Sequence, residues 1–327
     1  MVKERKYLAE FGLGVYASYK TLINVEELEN LEKVDYHKYH IYCILAYSKK
    51  YFKMEKTKVT SEGIKITLLE IEDYIEKEYE MPIWKIGDGI DYNKVEISSQ
   101  YPYNIIHLEI KDDDYLLKHP GFLRNLDINA QQLFDICAVD FTDKCEYEIL
   151  YIGQAYGKRG ERTALTRLSS HSTLQKILID CQSKYANKQI YILLLEMTPL
   201  LNMSFDGLSK KYTTSNKEDW EHTEQVLSNL PEDQQVINIT EAALINYFKP
   251  LYNVNFVENF PDPKHKGYQQ YFNLDYNCLT VEIDLEFDNA PIIQILTETN
   301  RFNSSFDYIR YNLFNDPNRK SMYDIFK

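Results

Sequence analysis

The 327-residue sequence has no run of 18 apolar residues, which predicts no transmembrane helix and no membrane partner. Its opening stretch, MVKERKYLAEF, carries charge but no apolar segment, which predicts no signal peptide. The five cysteines, Cys43, Cys137, Cys145, Cys181 and Cys278, are scattered, odd in number and free of any CxxC pair. That spacing indicates neither a zinc site nor a disulfide framework and fits a reducing, cytoplasmic setting. No internal repeat is visible. Net positive charge is also missing: the balance is −13, which argues against a protein that coats nucleic acid non-specifically.

The sequence does contain ordinary soluble-protein material, 44% hydrophobic and 27% charged, at a length that allows two domains or one with large additions. Residues 7–20 read as a strand. Asn24 is placed to cap a helix over 25–34, because its side chain can accept from unpaired N–H groups. Tyr42–Tyr47, Ile64–Leu68, Val95–Ile97 and Asn104–Ile110 read as strands. Leu68–Tyr79 has apolar residues at helical spacing and predicts a helix closed by Pro82. Residues 1–130 therefore read as a mixed α/β accessory domain, ending in the turn-rich passage around Pro120-Gly121. Leu133–Phe141 and Glu146–Ile152 predict a β-hairpin, and Gln189–Glu196 a third, central strand. Residues 198–235 are a polar, acidic insertion. It is read as a surface excursion, with a specificity or dimerisation element as the alternative. Thr280–Asp288 alternates apolar and acidic residues, so its acidic row reads as the wet side of a half-buried strand rather than a metal site. Asn300–Lys327 reads as a terminal helix or tail.

Charge is uneven along this frame. Residues 144–190 hold eight basic and four acidic residues, a local positive excess suited to phosphate. Lys158, Arg159 and Arg162 are the candidate nucleic-acid contacts. Lys176, Lys184 and Lys188 read as a solvated face. Around them lies the most informative pattern: Tyr151-Ile152-Gly153 ending a strand, Arg167 and His171 one helical turn apart, then Glu241 on a helix stopped by Pro250, with Asn253 after it.

These residues, in this order and at these spacings, resemble the GIY-YIG nuclease family over residues 131–256. The resemblance implies an α+β fold: a small three-stranded antiparallel sheet flanked by helices, preceded by the N-terminal domain (1–130) and followed by a C-terminal extension (257–327). On the predicted hairpin, Asp135-Ile136-Cys137 stands where the family has Gly-Ile-Tyr, so the first tyrosine is missing. Gly14-Val15-Tyr16 has the right look but lies far upstream and reads as a decoy.

The resemblance implies a metal-dependent endonuclease acting on DNA in restriction or phage defence, with RNA as an alternative substrate and a homodimer as a compatible assembly. Glu241 would hold Mg²⁺ or Mn²⁺, a hard cation suited to one carboxylate and several waters. Asn253 would orient Glu241. Arg167 would clamp the scissile phosphate through its planar fork. His171 would assist proton transfer or fix the phosphate. Tyr151, its pKa lowered by the metal and nearby cations, would handle the proton of the attacking water. Gly153 would permit close backbone approach. Each residue has a plainer explanation: a core tyrosine, a solvated arginine, a helix-end histidine, a helix-dipole glutamate, a turn asparagine. The missing tyrosine also motivates a rival, a nuclease-derived binding or regulatory module that no longer cuts.

Overall fold

A computed structural model describes residues 3–34, 37–72, 75–140, 142, 144–154, 167–168, 172–183, 186–205 and 212–324. Its centre is a seven-stranded mixed sheet that curls into half a barrel. The strands are β1 (Ala9–Asn24), β2 (Ile41–Ser48), β3 (Lys144–Gln154), β4 (Lys188–Phe205), β5 (Cys278–Asp284), β6 (Ile292–Leu296) and β7 (Phe306–Asn312). Their spatial order is β6-β3-β2-β4-β1-β5-β7. The pairs β3–β6 and β1–β5 are parallel, and the others are antiparallel. This corrects the expected small three-stranded sheet. Strands β3, β2 and β4 are neighbours, but they form the middle of a larger sheet that also recruits residues 9–24 and 278–312. The three sequence segments thus contribute strands to one sheet.

Strand β2, IYCILAYS, is buried at all eight positions. Ile41, Cys43, Leu45 and Tyr47 enter the larger core, with β1, β5 and helix α5 (Asp233–Phe248). Tyr42, Ile44 and Ala46 enter a second core against helices α1 (Leu28–Val34) and α3 (Ser172–Ser183). A strand covered on both faces needs an unbroken apolar run, and β2 supplies it. Asn24 accepts from the Glu26 N–H at 3.0 Å, the cap expected of it.

Several local expectations are overturned by tertiary structure. Residues 133–140 are not a strand: helix α2 spans Ala130–Cys137, started by Asn129, whose side chain accepts from the N–H groups of Gln131 and Gln132. Its apolar residues Ala130, Leu133, Phe134 and Cys137 recur at helical spacing and meet the larger core. Residues 68–79 are not a helix but the strands Thr67–Glu72 and Ile75–Glu80, joined to Lys50–Phe52 in a small sheet. There Glu70 is not on a wet helix face. It accepts from the Tyr79 hydroxyl at 2.6 Å and pairs with the buried Lys50 at 2.9 Å. Residues 306–312 form β7 rather than a terminal helix, and helix α4 (Asn216–Ser228) occupies part of the expected excursion. Val281, Ile283 and Leu285 are buried as the alternation required.

The ends of the described chain are tied to the sheet by buried charge. Arg319 pairs with Glu10 on β1 and with Asp275, each at 2.6 Å, and the side chains of Arg319 and Glu10 are 4% and 1% exposed. Removing one member of such a pair leaves a buried charge poorly compensated, at a cost of about 3 kcal/mol. Glu10→Ala is therefore expected to lower the urea midpoint strongly. An unchanged midpoint would contradict this account of how residues 316–322 are held.

Candidate active site

The site forms where β3 and β2 run side by side. Their register shifts between Ile149 and Tyr151, the mark of a β-bulge. Up to Ile149 the odd residues Cys145, Tyr147 and Ile149 point into the larger core. After the shift, Ile152 points there, while Leu150 and Tyr151 both join the second core. The bulge thus turns Tyr151 to the face that Tyr42 already occupies. The rings lie 6.1 Å apart between centroids, and the phenols share a hydrogen bond.

This geometry supplies the tyrosine the sequence reading lacked. The partner of the Tyr151-Ile152-Gly153 strand is β2, with Gly153 opposite Tyr42 and Ile152 opposite Cys43. His40-Ile41-Tyr42 therefore lies beside it where the resemblance expects Gly-Ile-Tyr, and Asp135-Ile136-Cys137 does not, because it is helical. Gly14-Val15-Tyr16 lies on β1, with β2 and β4 between it and β3. Gly153 is required by contact: a Cβ there would come within 2.5 Å of the Tyr42 hydroxyl and 2.7 Å of Tyr151 Cε1.

Arg167 lies in a helical segment and donates through Nη1 to the Gln154 carbonyl, which holds it at the end of β3. Glu241 is half-buried in the middle of α5, not in its first turn, so the helix-dipole explanation does not apply. Burial pushes its carboxyl up to about 7, although hydrogen bonds from Gln154 and the charge of Arg167 pull the other way. Tyr151, Arg167 and Glu241 therefore converge with Tyr42 around Gly153 and Gln154. His171, Lys158, Arg159 and Arg162 lie outside the described residues.

Two expected roles change. Tyr151 was assigned a pKa lowered by the metal and nearby cations; before any metal binds, burial and then the Glu241 charge raise it, with only partial relief from Arg167. Tyr42 is raised as well, foremost by burial. Both phenols are neutral donors at physiological pH. Asn253 does not orient Glu241. It accepts from the Ile152 N–H at 2.9 Å and donates to the Ile152 carbonyl at 2.8 Å. Strand β6 pairs with β3 only over residues 144–148, and Asn253 serves the far edge beyond that point, as does the Tyr252 N–H on Leu150. Its contribution is to fix the strand that carries Tyr151.

Sequence reasoning also missed the wall beside Glu241. Gln234, Asn238 and Glu241 lie on one face of α5. Asn238 accepts from Gln154 at 2.7 Å and from Gln234 at 2.9 Å, and donates to the Gly267 carbonyl at 2.8 Å. The last bond fastens the loop 262–267, with Lys264, His265 and Lys266, to the face that presents Glu241. Lys264 and Lys266 are exposed and make no ion pair among the described residues. The signal was the charge of PKHKG, lost in a strongly acidic chain.

Among the described residues no three of His, Cys, Asp and Glu cluster as a metal cage. Glu241 alone still fits one hard divalent cation: it is an oxygen donor whose negative charge is disfavoured where it stands.

Gly153→Ala is expected to force Tyr42 and Tyr151 apart, to cost about 1–3 kcal/mol of stability by overpacking the buried Tyr42, and to reduce any activity of the site by about 100-fold or more, beyond what that loss of stability explains. Activity and thermal midpoint measured together test this. Full activity in the alanine variant would rule out the packed glycine contact.

No protein-family profile, curated protein or solved structure matches this chain.

Proposed function

We propose that the protein is a cytoplasmic, metal-dependent endonuclease that hydrolyses DNA phosphodiester bonds in restriction or phage defence, through a GIY-YIG-type active site set in a larger sheet. The observation that carries this reading is the convergence of Tyr42, Tyr151, Arg167 and Glu241 around Gly153 and Gln154. Tyr42 also removes the motive for the rival, a module that cannot cut because its first tyrosine is lost. No helix among the described residues is long and apolar enough to cross a membrane.

Each residue has a task set by its surroundings. Arg167 spends one donor on Gln154 and keeps the rest of its guanidinium for the scissile phosphate, where charge builds up in the transition state. The neutral phenols of Tyr42 and Tyr151 donate to the phosphate oxygens or orient the attacking water. Glu241 holds Mg²⁺ or Mn²⁺, which when bound supplies an activated water and a Lewis acid. Gln154 and Asn238 keep Glu241 and the 262–267 loop in register. Lys264 and Lys266 meet the flanking backbone, and together with Arg167 they give a −13 chain its local attraction for phosphate.

The protonation of Glu241 sets the pH response. With a carboxyl near 7, a proton competes with the cation below that value and not above it. Mn²⁺ affinity is expected to fall about tenfold per pH unit below pH 7 and to level off above it. Calorimetry from pH 5.5 to 8.5 measures this. A flat profile, or the same profile in Glu241→Gln, would remove Glu241 as the ligand.

The direct test is cleavage of plasmid and phage DNA with Mg²⁺ or Mn²⁺. Wild type is expected to cut. Glu241→Ala is expected to abolish cutting, and Arg167→Ala to slow it by about 100-fold or more. The Lys264→Ala/Lys266→Ala pair is expected to reduce the salt slope of DNA binding by about 2. Equal cutting by wild type, Glu241→Ala and Arg167→Ala would defeat the assignment, as would failure of wild type to bind or cut any DNA.

A further inference from the structure

A second site lies on the other face of β3. A cavity of about 380 Å³ opens between the end of β1, helix α2, strands β3 and β4, and the segment from Phe287 to Ile293. Its walls are apolar and aromatic: Leu22, Ile23, Phe134, Phe287, Pro291 and Ile293. This is the size and lining of a small-molecule pocket. Asn24, Gln132 and Tyr191 also line it, and three further polar groups set its chemistry.

The first is Tyr147, which is 5% exposed, lines the cavity, and has no hydrogen-bond partner for its hydroxyl among the described residues. Its ring is fixed, stacked on Tyr47 at 4.6 Å and edge-on to Tyr191 at 5.3 Å. Held in this way, the hydroxyl is available to a polar group that enters the cavity. The second is Asp135, held by the Tyr191 hydroxyl at 2.8 Å and by Gln131 at 3.0 Å. Solvent reaches Asp135 from the cavity mouth, and the atoms crowded around it nevertheless raise its carboxyl above the usual range. The third is Glu27, at the rim.

The sign of the charge narrows the ligand. Among the described residues the lining holds two carboxylates and no cation. Lys50 is the nearest positive group to Asp135, but it is buried on the far side and paired with Glu70. A phosphate, a carboxylate or a nucleotide would meet negative charge that the neutral amides of Asn24 and Gln132 do not compensate. An amine on a flat ring meets the opposite: a carboxylate for its charge, a phenol oxygen to accept a second N–H, and aromatic faces around the ring.

We propose that this cavity is a binding site for a small aromatic cation, an amine or amidine carried on a flat ring, with Asp135 taking the charge, Tyr147 a further N–H and the apolar walls the ring. The proposal is independent of the nuclease reading, because none of these residues belongs to the cleft around Gly153.

Titration calorimetry on the full chain tests it with three probes: tryptamine, benzamidine and indole-3-acetate, the last an anion of nearly the same shape as tryptamine. At least one of the two cations is expected to bind at about 1 mM or tighter, and the anion not to bind. Tyr147→Phe removes a hydroxyl with no partner in the protein, so the fold should be unaffected. It is expected to weaken the cation about fivefold, and Asp135→Asn about tenfold or more. Thermal midpoints of both variants confirm that they are folded. Binding of indole-3-acetate as tight as that of tryptamine would overturn the proposal, as would wild-type affinity in both variants or no binding of either cation.

Discussion

Strand β2 has no wet side, and most of the molecule is arranged to meet that condition. Eight consecutive buried residues require cover on both faces and a paired strand on both edges, so β3 and β4 must flank it and two separate cores must form above and below. Tyr42 is one of the polar side chains, with Tyr47 and Ser48, that this largely apolar run carries into the interior. A buried hydroxyl needs a partner, and Tyr151 becomes that partner only because the bulge in β3 reverses the alternation one residue earlier. The candidate active site is thus a by-product of satisfying a single strand.

The sequence disclosed the parts of the site that are local. The Tyr151-Ile152-Gly153 strand and the helix stop before Pro250 follow from residue type and short-range spacing and stand where expected, whereas the helix that carries Glu241 starts earlier than expected, at Asp233. Tyr42 was not legible. His40-Ile41-Tyr42 departs from Gly-Ile-Tyr at one residue, but nothing local says which strand it pairs with, and register between distant strands is decided by the packing of both faces. The helix α2 was misread for the opposite reason: Leu133 to Phe141 is apolar enough for a strand, and the cap at Asn129 outweighs that. In Thr67–Glu80 the misleading feature was apolar residues at helical spacing with acidic ones between them, one of which, Glu70, faces inside to Lys50 and Tyr79.

Electrostatics at the site run against a simple expectation of activated groups. Burial raises both phenols and the carboxyl of Glu241, so the resting cleft is close to neutral apart from Arg167. A neutral, partly dry cleft is a poor place for a lone anion and a good one for an anion that arrives with a cation. Asn253 illustrates a related economy. By serving the Ile152 backbone rather than Glu241, it stabilises the position of the strand that carries Tyr151 instead of the charge of one residue.

The sheet also interleaves strands from distant parts of the chain. β1 lies beside β5, β3 lies beside β6, and the edge of β3 is finished by Tyr252 and Asn253. Pairings of such long sequence separation make folding slow, since loop closure must precede any gain from contact. During synthesis, Tyr42, Tyr151 and Arg167 emerge from the ribosome well before the helix that carries Glu241 and the residues that brace β3. A partly made chain therefore has both tyrosines but neither the carboxylate nor the brace, and the cleft can close only after nearly the whole chain has been delivered.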